Sequence, residues 1–327
     1  MRAIIPVAGV GTRLRPHTYT LPKVLLNVAG KPILAHILDA LIEHGVKKAS
    51  IVTGYMGKLV QEYVNKHYSI DIQFIPQRES LGLGHAIWTA RESFDDEPLM
   101  IILGDTIFDA DLKQASLFNC STIGVKQVED PRRFGVVETN ELGIISNFIE
   151  KPEIPISNMA IVGIYYIANP ALLKECLNNL IDNNIKTRDE FQLTDALQMM
   201  LEKGEKFKTF NVDGWYDCGK PETLLSTNKY LLDKLNTKRS LDDAVIIPPV
   251  FVAEDADVRR SVIGPYATVA SGATVYDSVV RNSIISDGAT VHYSLLNDSI
   301  IGNNALVKGH FYKLNVGNSS EINFDAL

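Results

Sequence analysis

Apolar residues recur along the first part of the chain in two alternating patterns. Short apolar runs at 3–7, 49–53 and 99–103 predict buried strands, because a strand covered on both faces is apolar at successive positions. Longer stretches at 33–46 and 59–67 place apolar residues three and four positions apart, which predicts amphipathic helices. The alternation of strand and helix predicts a mostly parallel sheet with helices on both faces.

A different pattern begins near residue 240, where short β-branched units replace the helical periodicity. The segment 272–285 recurs with small changes at 288–301, which gives a period of 16 residues. Within the period, aliphatic residues recur every six positions, as at Ile263, Val269 and Val275. This spacing predicts a triangular solenoid in which each side turns one aliphatic residue inward.

Length and composition agree with two globular domains, which we place at 1–239 and 240–327. The chain has 327 residues, of which 46% are hydrophobic and 22% charged, so it can bury a large core. A net charge of −7 argues against a nucleic-acid or membrane partner, so a polyphosphate ligand would need a local cluster of cations. No signal sequence or apolar stretch of membrane-spanning length is evident, and we expect a cytoplasmic protein.

A glycine-containing loop follows the first predicted strand. Ala8, Gly9, Gly11 and Thr12 offer backbone N–H groups that could close on an anion, and Arg13 adds positive charge beside them. A lone G-x-G is more often a tight turn. The loop also lacks the third glycine of the dinucleotide fingerprint and the Gly-Lys-Ser/Thr of ATPase loops. Spacing alone therefore leaves phosphate binding and a simple turn both open.

A longer motif gives the loop a specific interpretation. It reads G-x-G-T-R-L-x-P-x-T and is followed by P-K-x-L-L-x-V-x-G-K-P, in which Lys23 follows Pro22. The two motifs together resemble the sugar-1-phosphate nucleotidyltransferases, also called nucleotide-sugar pyrophosphorylases. The resemblance is closest to their glucose-1-phosphate thymidylyltransferase and UTP-glucose-1-phosphate uridylyltransferase branches that carry a C-terminal left-handed β-helix.

Ala8 departs from the pattern, because many members have glycine there. The resemblance implies a Rossmann-like catalytic domain in which the loop and Arg13 hold the nucleotide phosphates and Lys23 is catalytic.

Two further segments become candidate nucleotide and metal sites through this resemblance. Gln77 and Gly82 precede a predicted helix, and spacing alone favours a helix cap, but the family uses the matching residues to read a pyrimidine ring. Asp105 follows an apolar strand, and Asp217 lies in Trp-Tyr-Asp-Cys-Gly. In the family these two carboxylates hold Mg²⁺, a cation that prefers hard oxygen ligands.

The sugar site is likewise implied by the resemblance. Gly135, Glu150, Lys151 and Gly163 lie in short predicted strands and match residues that contact the hexose and its phosphate. A carboxylate suits paired hydroxyls, and an ammonium group suits phosphate. Glu190 opens a predicted helix, where the helix dipole alone would favour an acidic residue, but it also matches a family segment near the sugar.

The predicted reaction joins a nucleoside triphosphate to a sugar 1-phosphate and releases pyrophosphate. We expect dTTP or UTP to be preferred, with dTTP and glucose 1-phosphate as the favoured pair, and a homo-oligomer assembled through the β-helix. One alternative is a non-catalytic regulatory or scaffold subunit, although the retention of Arg13, Lys23, Asp105 and Asp217 argues against it. A second alternative is an acyltransferase built on the β-helix, for which His292 is the candidate residue.

Overall fold

The computed structural model describes residues 1–235, 239–311, 316–317 and 319. The chain divides into two compact units, Met1–Leu231 and Leu232–Leu327. Residues 236–238, next to the predicted boundary, lie outside the described part. Within the described part, no helix is long and apolar enough to cross a lipid bilayer.

The first unit contains thirteen strands and six helices, numbered here in chain order. The strands are β1 (Arg2–Val7), β2 (Asn27–Val28), β3 (Lys31–Pro32), β4 (Lys48–Thr53), β5 (Asp71–Pro76), β6 (Leu99–Ile102), β7 (Thr106–Asp109), β8 (Ser121–Gln127), β9 (Gly135–Thr139), β10 (Ile145–Glu150), β11 (Met159–Ile167), β12 (Phe207–Asn211) and β13 (Gly214–Asp217). The helices are α1 (Ile33–Glu43), α2 (Gly57–His67), α3 (Leu83–Thr89), α4 (Pro170–Asp182), α5 (Leu193–Glu202) and α6 (Pro221–Lys234), the last of which runs three residues past the division between the units.

Nine of these strands form one mixed sheet. Its main path runs β10-β9-β11-β6-β1-β4-β5, and β8 pairs with both β11 and β12. Strands β6, β1, β4 and β5 are parallel, whereas β11 runs antiparallel to β6, β8 and β9. The prediction of an α/β domain is therefore confirmed, with an antiparallel region added beyond β6.

The predicted apolar runs form the centre of this sheet. Residues Ala3, Ile4 and Ile5 of β1 are fully buried, as are all four residues of β6. Helix α1 begins at Ile33 and ends at Glu43, two residues before Gly45, whose φ of 84° is left-handed and stops the helix. Because parallel strands end together, the loops after β1, β5 and β6 meet at one edge, which is where open α/β sheets bind ligands.

The second unit is the left-handed β-helix. Its strands are β14 (Ala244–Ile246), β15 (Val250–Val252), β16 (Asp257–Arg259), β17 (Ser261–Ile263), β18 (Ala267–Val269), β19 (Thr274–Tyr276), β20 (Val279–Arg281), β21 (Ile284–Ile285), β22 (Thr290–His292), β23 (Leu295–Asn297), β24 (Ile300–Ile301) and β25 (Leu306–Lys308). They form three parallel sheets, β14-β17-β20-β23, β15-β18-β21-β24 and β16-β19-β22-β25. The aliphatic residues predicted to point inward, Ile263, Val269 and Val275, are fully buried.

The strand register confirms the 16-residue period for the later coils and corrects it for the earlier ones. Thr274 pairs with Thr290, a step of 16, whereas Ala244 pairs with Ser261, a step of 17. The extra residue lies in the corner between the first two sheets, a corner that contains proline in both longer coils. An extra residue in a corner does not change which strand residues point inward. The inward-pointing aliphatic residues of successive coils therefore still stack on one another.

Candidate active site

The glycine loop is held against the segment that carries Lys23. Strand β1 ends at Val7, and a short 3-10 turn begins at Thr12. Between them Gly11 has a left-handed φ of 66°, and a Cβ at this position would lie 3.0 Å from Cβ of Lys23. Thr18 donates its hydroxyl to the carbonyl oxygen of Gly11 at 2.8 Å. Glycine at position 11 therefore permits both the turn and the close approach of Lys23.

Lys23 lies between the two predicted metal ligands. Its Nζ is 2.7 Å from Oδ2 of Asp105 and 3.9 Å from Oδ1 of Asp217. Strand β13 pairs antiparallel with β7, so that Asp217 faces Thr106, and the backbone N–H of Cys218 donates to the carbonyl of Asp105 at 3.1 Å. This pairing brings together two carboxylates that are more than 100 residues apart in sequence.

The two carboxylates fit a magnesium ion. Each side chain is nearly half exposed, at 43% for Asp105 and 45% for Asp217, so each keeps oxygen atoms free for a further ligand. Among the described residues, no set of three or more His, Cys, Asp or Glu side chains could hold a metal by itself. An ion bound here would complete its coordination with phosphate oxygens and water, as Mg²⁺ commonly does in nucleotide enzymes.

Arg13 reaches the same place from the glycine loop. A Cβ added at Gly219 would lie 3.0 Å from Nη2 of Arg13 and 2.8 Å from Oδ1 of Asp217. Both charged groups therefore lie close to Gly219, and a side chain at this position would displace them. Gly219 is the last residue of the Trp-Tyr-Asp-Cys-Gly motif, and no role was predicted for it from the sequence.

A cleft of about 490 Å³ opens beside the glycine loop. It is lined by five predicted nucleotide-binding residues, Ala8, Gly9, Arg13, Gln77 and Gly82, together with Lys23 and Asp105. Gly11 and Thr12 belong to the same loop but lie outside this lining. The cleft is therefore lined by both the cationic glycine loop and Gln77.

The loop after β5 is joined to the loop before α5 by two backbone hydrogen bonds. Gly84 donates to the carbonyl of Phe191 at 2.8 Å, and Phe191 donates to the carbonyl of Leu81 at 2.9 Å. Gly82 has a φ of 110°, and a Cβ there would lie only 2.5 Å from the oxygen of Phe191. Glycine at 82 is thus required both by its φ and by the contact between the two loops.

A second cleft of about 330 Å³ adjoins the first and contains most of the predicted sugar-site residues. Gly135, Glu150, Lys151 and Glu190 line it, and it shares Leu83, Leu103, Asp105 and Glu190 with the first cleft. Gly163 is placed differently. It has a φ of 87° at the register shift of β11, and a Cβ there would lie 2.7 Å from the side chain of Leu103. Gly163 therefore supports a residue that lines both clefts.

Glu150 is the most constrained acid of the second cleft. Its side chain is 9% exposed, accepts a hydrogen bond from the hydroxyl of Thr194 at 2.5 Å and pairs with Nζ of Lys151 at 3.1 Å. The neighbouring Asp195 has a buried carboxylate oxygen without a hydrogen-bond partner, and burial raises the pKa of this group. Two donors, the hydroxyl of Thr194 and the ammonium of Lys151, thus orient the carboxylate of Glu150.

Arg188 is a cation that the sequence analysis missed. Its guanidinium donates to the carbonyl of Lys151 at 2.7 Å, and it lies in a tight turn in which Thr187 and Glu190 pair with each other. Both Arg188 and Asp189 have positive φ values. The turn places a second positive group beside Lys151, and the only sequence signal was an arginine two residues before Glu190.

His292 of the β-helix is stacked on Tyr276, with ring centroids 5.0 Å apart and planes within 7°. Its Nε2 is buried and has no hydrogen-bond partner. This observation does not test the acyltransferase alternative, which stays a prediction.

An α/β sheet with a cationic glycine loop and two adjoining clefts is typical of nucleotide-binding proteins. Residues 2–234 match the model of the nucleotidyl transferase family, and the chain belongs to that family.

Three similar proteins extend this finding. The low-salt glycan biosynthesis nucleotidyltransferase Agl11 of Haloferax volcanii is 31% identical over 320 residues, with 87% of each chain covered. The bifunctional protein GlmU of Methanocaldococcus jannaschii is 37% identical over 261 residues, which cover 79% of this chain and 61% of GlmU. The crystal structure of a UDP-glucose pyrophosphorylase bound to UDP-glucose aligns with a TM-score of 0.62 at 27% identity, over 72% of this chain and 99% of the other. The predicted membership of the sugar nucleotidyltransferases is confirmed.

Proposed function

We propose that the protein transfers a nucleoside monophosphate from dTTP or UTP to a sugar 1-phosphate, with glucose 1-phosphate as the preferred acceptor. The observation that carries the proposal is the placement of Lys23 between Asp105 and Asp217, at the junction of two clefts that share Asp105 and Glu190. The similarity to a structure that holds UDP-glucose supports both halves of the substrate pair.

The chain's own residues account for binding and charge stabilisation. Arg13 and the amides of the glycine loop bind the β- and γ-phosphates, so that the α-phosphorus lies near Lys23. The sugar phosphate is already ionised, so its oxygen attacks the α-phosphorus without a general base. The bond from the α-phosphorus to the bridging oxygen breaks in line with this attack, and pyrophosphate leaves. The ammonium of Lys23 stabilises the negative charge that develops at the α-phosphate, because its side chain is only 8% exposed and water screens it little.

Two groups complete the proposed site. Asp105 and Asp217 would hold Mg²⁺, which when bound neutralises phosphate charge and orients both substrates. On the acceptor side, Lys151 and Arg188 attract the sugar phosphate, and the carboxylate of Glu150 accepts hydrogen bonds from sugar hydroxyls.

Pyrimidine selectivity is the first expected result. Wild-type protein should show a higher kcat/KM with dTTP and UTP than with ATP and GTP. Gln77→Ala should reduce this ratio of kcat/KM values about ten- to hundredfold, because the buried polar edge of the pyrimidine then has no hydrogen-bond partner. The assay is pyrophosphate release in a matrix of the four nucleotides against glucose, galactose and N-acetylglucosamine 1-phosphates. Gln73→Ala, which replaces an exposed glutamine of the preceding strand β5, is a matched control. A purine preference, or an unchanged nucleotide ranking in Gln77→Ala, would contradict the role of Gln77.

The same assay of nucleotides against sugar 1-phosphates distinguishes an enzyme from a non-catalytic regulatory or scaffold subunit. A scaffold would release no pyrophosphate with any pair, although it could still bind nucleotide. Binding measured by calorimetry without turnover would therefore favour the non-catalytic alternative. The choice of dTTP over UTP stays a prediction that the matrix decides directly.

The proposed homo-oligomer rests on one face of the β-helix. The strand register of its first sheet aligns four aliphatic residues whose side chains point outward. We call them the outward column, and they are Val245, Val262, Val279 and Leu295. Its two ends are 58% and 81% exposed. A continuous aliphatic column on a regular sheet is typical of a surface that associates with another copy.

Changing the outward column is expected to alter the oligomer. Leu295→Glu should lower the mass measured by light scattering to that of a single chain, because a buried carboxylate would have no partner in the interface. Leu306→Glu is the matched control, since Leu306 is 68% exposed on a different sheet. An unchanged mass in Leu295→Glu would place the interface elsewhere.

A further inference from the structure

One polar contact joins Gln77, which lines the first cleft, to a residue outside that lining. Nε2 of Gln77 is 2.8 Å from Nδ1 of His85, a residue in the first turn of α3. Gln77 lines the cleft and is 8% exposed, whereas His85 lies outside the cleft lining. The His85 ring is stacked with Trp88 and Phe191 at centroid distances of 5.6 and 6.3 Å. His85 is therefore a fixed neighbour of the base-reading amide.

The contact determines which way the amide of Gln77 points. A neutral imidazole has one nitrogen that accepts and one that donates. Burial lowers the pKa of His85, which favours this neutral form. Because the amide nitrogen of Gln77 can only donate, Nδ1 is the accepting nitrogen in this contact. The second N–H of the amide lies on the same side as Oε1. Gln77 therefore presents to the cleft one acceptor, Oε1, and one donor, this N–H, and the contact with His85 fixes which of the two positions each occupies.

The order of the two groups matters for pyrimidines. Uracil and thymine present an N3–H donor next to the O4 acceptor, whereas cytosine presents an N3 acceptor next to the N4 amino donor. When Oε1 faces N3 of the base, Gln77 complements uracil and thymine, whose N3–H donates to Oε1. Cytosine is disfavoured, because its N3 and Oε1 are both acceptors. Rotation of the amide by 180° would reverse this preference, and the contact with His85 is what disfavours that rotation.

We propose that His85 is a positioning residue that fixes the amide of Gln77 and thereby selects uracil or thymine over cytosine. This inference rests on the proposed function, in which Gln77 reads the base. It assigns His85 no contact with the nucleotide, and its effect must therefore pass through Gln77.

The test compares kcat and KM for UTP, dTTP and CTP in three variants of the full chain. His85→Phe keeps a ring between Trp88 and Phe191 but removes the acceptor, and it should lower the UTP-to-CTP ratio of kcat/KM about tenfold, mainly through KM. His85→Asn should retain the wild-type ratio, because its Oδ1 can accept in place of Nδ1. His67→Phe is a matched control, since His67 is an exposed residue at the end of α2 and should leave the ratio unchanged.

A double-mutant cycle separates positioning from simple packing. In a Gln77→Ala background, His85→Phe should have no further effect on the ratio, because there is no amide left to orient. An equal loss in that background, an unchanged ratio in His85→Phe, or failure of His85→Asn to retain it would each overturn the inference. A wild-type protein without nucleotidyl transfer would instead refute the proposed function. A wild-type preference for UTP that is insensitive to His85 would refute this inference alone.

Discussion

Asp105→Asn and Asp217→Asn are each expected to lower kcat by about 10²- to 10³-fold, the cost typical of removing one group that stabilises transition-state charge. Each substitution removes a negative oxygen ligand from a site at which the described chain offers only two. With one carboxylate left, a divalent cation would no longer be held at both substrates. Turnover should be measured at saturating substrates across a magnesium titration.

The control for the carboxylate variants lies directly before β13, the strand that carries Asp217. Asp213→Asn replaces an exposed acid four residues before Asp217 and should keep wild-type turnover. Full activity of the wild-type protein in excess EDTA would contradict the role of the metal. Full activity of both variants would show that the carboxylates serve only to hold Lys23.

Lys23→Ala is expected to lower kcat by a similar factor of about 10²–10³ while KM for the nucleotide changes only a few-fold. The reason is that the ammonium acts on charge that develops during transfer, so its loss affects the transition state more than the bound substrate. Lys23→Met gives a sharper comparison, because it keeps an unbranched side chain beneath Gly11 and removes only the charge.

Lys31→Met is the matched control for this experiment. Lys31 forms a surface ion pair with Asp39, and pairs of this kind contribute little to stability. Its kcat and KM should match the wild type. If Lys23→Met raised KM and left kcat unchanged, Lys23 would be a binding residue and the assigned role in the transition state would be wrong.

The glycine loop and the first carboxylate could be predicted from sequence because both follow directly from buried strands. The apolar runs of β1 and β6 locate the sheet edge, and Asp105 comes three residues after β6. The position of Asp217 could not be derived in this way. It reaches Lys23 only because β13 pairs with β7, a contact set by tertiary packing, and the family resemblance supplied it in advance.

Other features had no local signal strong enough to find them. Arg188 lies in a turn with left-handed backbone, so neither helical nor strand periodicity marks it. The partnership of Gln77 and His85 joins residues eight apart across a loop, where no periodic rule applies. The pairing of Lys23 with Asp105 was also not anticipated, because a basic and an acidic residue distant in sequence give no indication of contact.

The two backbone hydrogen bonds between the loop of Gly84 and the loop of Phe191 have a thermodynamic consequence. One segment lines the first cleft, and the other precedes Gln192 and Thr194, which line the second cleft. A substrate that restrains one segment would therefore also restrain the other, and would reduce the conformational entropy that the second substrate must still remove. The factor by which saturating sugar 1-phosphate tightens nucleotide binding must equal the factor by which nucleotide tightens sugar binding. Under the proposed function, selectivity for the base would then be linked energetically to occupancy of the acceptor site, and a nucleotide ranking measured without sugar would describe only one side of that cycle.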